Sequence, residues 1–185
     1  MNNNKKDGMR TIDLAYIAIC SVLIVICSWL TIPTIVPFTL QTFAVFFVLR
    51  LLGGKRGTLS VIVYILLAAA GLPVLSGFLG GIGALLGLTG GYILGFIFMG
   101  LIYMIGETIP IKNKAVPIAS MVIGLLVCYT FGTAWFMIVY ARKTGPIGIG
   151  SALLSCVIPF VIPDIIKLVL AIVLAERLRR ILPDL

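Results

Sequence analysis

The chain has 185 residues, 61% of them hydrophobic and 11% charged, with a formal net charge of +8 and no histidine. A soluble domain carries roughly 25% charged residues, so this composition points to a membrane protein and leaves no room for a soluble domain. The missing histidine removes the commonest metal ligand and general base. The basic residues fall in short clusters between apolar runs, a pattern of topology signals rather than of a nucleic-acid surface.

In chain order, the basic stretch Lys5-Lys6-Asp7-Gly8-Met9-Arg10 precedes a first apolar span, Thr11 to Ile32, stopped by Pro33. No small-x-small site closes that run, so it reads as a retained helix rather than a signal peptide. Ala15, Ala18 and Ser21 recur there at helical spacing, which suits either a close-packing face for another helix or ordinary internal packing. A second, short span begins near Leu40 or Gln41 and ends by Gly53-Gly54. Gln41 reads either as an interfacial helix-end amide or as a ligand contact. Lys55-Arg56 read as a basic turn, and a third span runs from Thr58 to Ala70, closed by Gly71-Leu72-Pro73.

No charge occurs from Gly57 to Gly106, which fits two spans of about 20 residues joined by a neutral loop. That loop is rich in glycine from Gly77 to Gly95. Gly83, Gly87, Gly91 and Gly95 are four apart, so wherever they are helical they form a flat ridge. Gly90-Gly91 before Tyr92 suggests a loop lining a site, since glycine lets a ligand approach the main chain. It is not a phosphate loop, because no Gly-Lys-Ser/Thr follows.

The fourth span ends near Gly106-Glu107, Lys112 and Lys114 mark the next loop, and a fifth span runs from Ala115 to Tyr140. Its aromatic residues Trp135, Phe136 and Tyr140 suit an interface belt. After Arg142-Lys143, a sixth span carries Pro159 and Pro163 and ends in Glu176-Arg177-Leu178-Arg179-Arg180. The four cysteines, Cys20, Cys27, Cys128 and Cys156, lie in apolar runs with no metal-type pairing and read as buried small residues.

The sixth span also holds Asp164 and Lys167, an acid and a base inside an otherwise uncharged stretch. Residues three apart on a helix are neighbours. A charged pair inside a membrane is costly and by default functional, the plainer reading being that the two neutralise each other and snorkel. Pro163 suits the first position of a helix, which predicts Asp164 and Lys167 in a first turn.

Six spans put both termini on one side. Eleven Lys and Arg fall there, only Arg142 and Lys143 on the other, with Lys167 apart, so both termini are expected in the cytoplasm. Gln41, the glycine-rich stretch with Tyr92, Trp135 and the ion pair then converge at the outer face. The expectation is an all-α membrane protein, one domain over residues 1–185, with an outward-facing pocket for a small polar molecule. No Ser/His or His/Glu set supports an enzyme, and no internal repeat supports an inverted-repeat transporter. A proton-coupled carrier using Asp164 is the alternative class.

The chain resembles the BioY family, the biotin-specific substrate-binding (S) components of energy-coupling factor (ECF) transporters. The resemblance is carried by Val36-Pro37-Phe38-Thr39-Leu40-Gln41-Thr42-Phe43-Ala44-Val45, Gly53-Gly54-Lys55-Arg56-Gly57 and Ala70-Gly71-Leu72-Pro73-Val74. Gly80-Gly81, Gly90-Gly91-Tyr92 and Pro163-Asp164-Ile165-Ile166-Lys167-Leu168 with the basic tail complete it. It implies a six-helix domain in a bacterial cell membrane that binds biotin near the outer face. Asp164 and Lys167 match residues that hold the head group, and Gly81, Gly90, Gly91 and Tyr92 match the pocket wall. It further implies a membrane coupling subunit and two ATP-binding-cassette ATPases as partners, with ATP used by them and no cofactor here. Ala15 and Ala18 look like the docking face for the coupling subunit, although the spacing is not Ala-x-x-x-Ala. The chain departs from the family pattern at Phe78-Leu79, Leu88 and Ile93, which predict a more apolar pocket, suited to biotin's thiophane ring and valeryl chain or to a less polar relative such as lipoate.

Overall fold

In lipid every backbone N–H and C=O must find a partner inside the protein, which restricts spanning segments of this kind to helices. The computed structural model describes residues 9–110 and 115–181; Lys5, Lys6, Lys112 and Lys114 of the topology count lie outside them. The described residues form eight α-helices: α1 (Thr11–Trp29), α2 (Gln41–Leu52), α3 (Gly54–Ala69), α4 (Ile82–Leu85), α5 (Gly90–Thr108), α6 (Ala115–Thr144), α7 (Ile149–Cys156) and α8 (Ile158–Ile181). Four stretches are long and apolar enough to cross a membrane: α1, α5, α6, and α7 with α8 taken together.

The first span ends sooner than expected. Its helix stops at Trp29, and Thr31–Ile32 pairs antiparallel with Phe38–Thr39 in a two-stranded ribbon. The sequence between, Ile32-Pro33-Thr34-Ile35-Val36-Pro37, has two prolines, which cannot continue a helix ladder.

One end of the bundle is ionic. Arg56 pairs with Asp13 at 3.1 Å, Arg50 with Glu176 at 2.7 Å, and Glu107 accepts a hydrogen bond from the Gly54 amide at 2.7 Å. Arg179 donates to the Leu51 carbonyl at 2.9 Å. Together these contacts gather the start of α1, the α2–α3 junction and the ends of α5 and α8. Lys55 and Arg56 are therefore not a turn but the first turn of α3, since Gly53, at φ +82°, reverses the chain alone. Residue 54 must be glycine, because a Cβ there would lie 2.5 Å from the Met104 Cα.

At the opposite end α2 and α3 are too short. At 1.5 Å per residue their 12 and 16 residues span ~18 and ~24 Å, against a hydrocarbon core of ~30 Å. Irregular segments lie at that end: the ribbon, the Ser76–Phe78 3₁₀ turn with α4, and the α7–α8 break at Val157. Gly83, Gly87, Gly91 and Gly95 accordingly form no continuous ridge. Gly83 sits in α4 beside open space and Gly87 in a turn, while Gly91 and Gly95 face Trp135 and Cys128 of α6.

The core is an arc of paired helices: α1 with α3, α3 with α5, α5 with α6, and α2 with α8. No comparable pairing joins α6 to α8, so a gap is left between them at the irregular end. All four cysteines are buried and unbridged. Ser21 is buried too, donating towards the Ser60 carbonyl of α3 at 2.9 Å, whereas Ala15 and Ala18 are exposed. The three therefore do not share a face.

Ser28, fully buried on α1, donates towards the Val74 carbonyl and ties α1 to the segment after α3. Ser28→Ala strands that buried acceptor, and thermal unfolding should report a loss of about 1–3 kcal/mol. An unchanged melting temperature would show that the tie contributes nothing.

Candidate functional site

The gap between α6 and α8 is where the Asp164–Lys167 ion pair lies. Asp164 is 1% exposed and Lys167 5%. Removing two charges from water costs several kcal/mol per ion unless geometry and further hydrogen bonds repay it. Here they do. Lys167 Nζ donates to Asp164 Oδ1 at 2.8 Å and to Thr42 Oγ1 at 3.1 Å. Thr42 in turn donates to Asp164 Oδ1 at 2.9 Å, and the Tyr129 hydroxyl donates to Oδ2 at 2.6 Å. The ammonium also lies 4.3 Å from the centre of the Phe38 ring, a cation–π contact. The carboxylate is thus held by α2, α6 and α8 at once, and the Tyr129 bond crosses the seam where α6 and α8 do not pack.

The pair does not occupy a first helical turn. Helix α8 starts at Ile158, so Pro163 is interior and Asp164 and Lys167 fall in the second and third turns. The early position is taken by Pro159, which fits a first turn as well as Pro163 does.

Asp164, Lys167, Gln41 and Tyr92 line one cavity, with Thr42, Thr39, Thr89 and Tyr129 adding hydroxyls. Val36, Pro37, Ile93, Phe96, Leu125 and Phe160 supply its apolar wall. Gln41 is anchored through Nε2 to the Tyr64 hydroxyl at 2.7 Å, and Tyr92 through its hydroxyl to Thr133 at 2.9 Å. Phe38 of the ribbon stacks on Phe160 of α8, ring centres 5.8 Å apart. The cavity measures about 70 Å³, below the ~300 Å³ at which ligand pockets usually begin.

Gly81, Gly90, Gly91 and Trp135 stand outside this lining. Gly81, at φ +88°, donates to the Ala68 carbonyl at 2.7 Å and turns the chain after α3. Gly90 and Gly91 open α5 instead of forming a loop. A Cβ on Gly90 would fall on the Leu85 carbonyl, and one on Gly91 would lie 2.3 Å from the Trp135 Cβ. Trp135 seals that contact and donates Nε1 to the Gly87 carbonyl at 3.0 Å, so it buttresses the wall behind Tyr92. Phe136, expected in an interface belt, is buried against Val36 and Cys156.

Of the apolar departures only Ile93 reaches the cavity. Phe78 and Leu79 are exposed, and Phe78 meets Trp29 at 5.1 Å. Leu88 packs with the Val36–Phe136 cluster. Thr42, Tyr129, Phe38 and Phe160 were not singled out by sequence reasoning. The one signal for them is that Thr42 follows Gln41 directly and that Tyr129 and Thr133 are one helical turn apart.

The sequence pattern of the BioY family matches residues 1–184. The chain belongs to the BioY family. It is 42% identical over 165 residues to the biotin transporter BioY of Thermotoga maritima, across 88% of this chain and 93% of that one. With the probable biotin transporter BioY of Pyrococcus horikoshii it shares 38% identity over 144 residues, 78% of this chain and 81% of the relative. A solved structure shares the fold, the crystal structure of the S-component for biotin from an ECF-type ABC transporter. That structure superposes with a TM-score of 0.77 at 30% identity, covering 97% of this chain and 95% of the other.

Proposed function

We propose that this protein binds biotin from outside the cell in the Asp164–Lys167 cavity and serves as the S component of an ECF-type importer. The observation that carries the assignment is a buried carboxylate and ammonium, oriented by two hydroxyls, beside an apolar wall. Biotin's cyclic urea offers two N–H donors and one carbonyl acceptor, which match Asp164 and Lys167. Its thiophane ring and valeryl chain match Val36, Ile93, Phe96 and Phe160. Gln41 and Tyr92 supply further polar contacts, while Gly81, Gly90, Gly91 and Trp135 shape the wall. Lipoate has no urea to use the buried pair. The protein carries out no reaction itself.

In this reading residues 1–185 are one domain of six spans in a bacterial cell membrane, with α2 and α3 completed by the irregular segments. The basic end faces the cytoplasm with both termini, and the cavity faces out. Biotin needs more room than the present cavity gives. The Phe38–Phe160 stack, joining the two-residue strand to α8, is the contact that parts to admit it. A coupling subunit docks on the exposed Ala15 and Ala18 side of α1, and two ATPases supply the energy, so no cofactor is held here.

Growth tests the function. A bacterium without its own biotin synthesis or uptake should grow on trace biotin when given this chain with a coupling subunit and ATPases. No growth on trace biotin with all partner subunits present would contradict the function. At the site, Tyr129→Phe removes one donor from a buried carboxylate at a cost of about 1–3 kcal/mol. Biotin affinity should fall several-fold in a titration, and an unaltered affinity would remove Tyr129 from the site.

A further inference from the structure

On the outer surface of the bundle, at its basic end, lies a second concavity of about 330 Å³. Its floor is Phe43 and Phe47 of α2, stacked with ring centres 6.0 Å apart. Leu23 of α1 walls one side, and Leu174, Leu178 and Ile181 of α8 wall the other. The only charged group lining it is Arg177, which is exposed and has no hydrogen bond or ion pair among the described residues. The neighbouring cations are committed: Arg50 to Glu176 and Arg179 to the Leu51 carbonyl. Arg180 adds a second exposed cation nearby.

We propose that this groove is a specific site for an anionic phospholipid, one acyl chain lying on Phe43 and Phe47 and the phosphate held by Arg177. The proposal rests on the membrane reading of the chain and not on the ligand of the cavity. Lipid tails are as apolar as the groove, so filling it gains packing rather than hydrophobic transfer. Any lipid tail has that property, and the headgroup therefore decides which lipid stays. A guanidinium with no partner among the described residues suits a phosphate, to which it can bond in two-point fashion. A zwitterionic lipid carries its own ammonium beside the phosphate, whereas an anionic one leaves the charge to the protein. Basic pockets between helices near a membrane face recognise anionic headgroups in this way.

Native mass spectrometry of the full chain in detergent, with phosphatidylglycerol or phosphatidylcholine of matched tails added, tests this. One phosphatidylglycerol should be retained, and phosphatidylcholine about tenfold less. Arg177→Gln should reduce phosphatidylglycerol retention to the phosphatidylcholine level. Leu174→Trp should fill the groove and reduce both. Biotin titration of the same variants reads the cavity at the other end and should be unaltered, which separates groove loss from misfolding. Equal retention of the two lipids, or full retention by Arg177→Gln, would overturn the proposal. So would a lipid-free dimer lost in Leu174→Trp, because the groove would then hold a second copy. Failure of the wild type to bind biotin would strike the function and leave the lipid count standing.

Discussion

Asp164→Asn should weaken biotin binding by about tenfold or more, equivalent to about 1.4 kcal/mol or above, and Lys167→Ala should do the same. Breaking a buried pair by removing one partner costs about 3–5 kcal/mol, because the other charge stays buried without compensation. In Asp164→Asn the amide keeps the side chain's size, but it loses the charge that balances Lys167, and one of its two ends must meet donors: with its oxygen kept towards Lys167 and Thr42, its N–H₂ group faces the Tyr129 hydroxyl that donates to Oδ2. In Lys167→Ala the carboxylate keeps two hydroxyl donors and loses its cation. Part of each cost falls on folding and part on binding, so melting temperature and affinity must be read together. Because the groups act as a unit, the double variant should lose less than the sum of the singles. Titration with biotin checks all three, and wild-type affinity in both single variants would mean the pair does not touch the ligand.

Gly132→Ala should lower both stability and biotin affinity, although residue 132 touches no ligand. The added Cβ would lie 2.2 Å from Cδ1 of Tyr92. Overpacking of this kind costs about 1–3 kcal/mol. The Tyr92 ring cannot yield freely, since its hydroxyl is bonded to Thr133 and its face lines the cavity. The strain is therefore delivered to the site. Gly83→Ala is the matched control, because a Cβ there meets nothing within 4 Å. Thermal unfolding and titration of the two variants should separate cleanly, with Gly83→Ala like the wild type. Equal behaviour of the two would show that α5 and α6 have slack at Tyr92.

The ion pair was legible because charge in an uncharged run is rare and i, i+3 spacing fixes its facing. Its depth was not. Pro159 and Pro163 are both compatible with a first turn, and only the break at Val157 decides that Pro159 takes it. The helices were legible from apolar length, and α2 begins where the sequence places it. Lys55 and Arg56 were misread because basic pairs mark turns and first turns alike.

The glycines were the hardest to read. A spacing of four suits a ridge, yet Gly87 is in a turn and Gly90 is required by a neighbouring carbonyl, which no local pattern reveals. Trp135 has the same ambiguity: an aromatic near a helix end serves a membrane interface, a pocket or a glycine notch, and here it fills the notch at Gly91. Thr42 and Tyr129 escaped notice because hydroxyls are common in apolar helices. What singles them out is the three-dimensional meeting of α2, α6 and α8 on one carboxylate.

Equilibrium titration of the purified protein with biotin and, separately, with lipoate tests the central claim most directly. The Asp164–Lys167 cavity predicts one biotin bound per chain at nanomolar affinity, with lipoate failing to compete. Tight lipoate binding with no measurable biotin binding would contradict it.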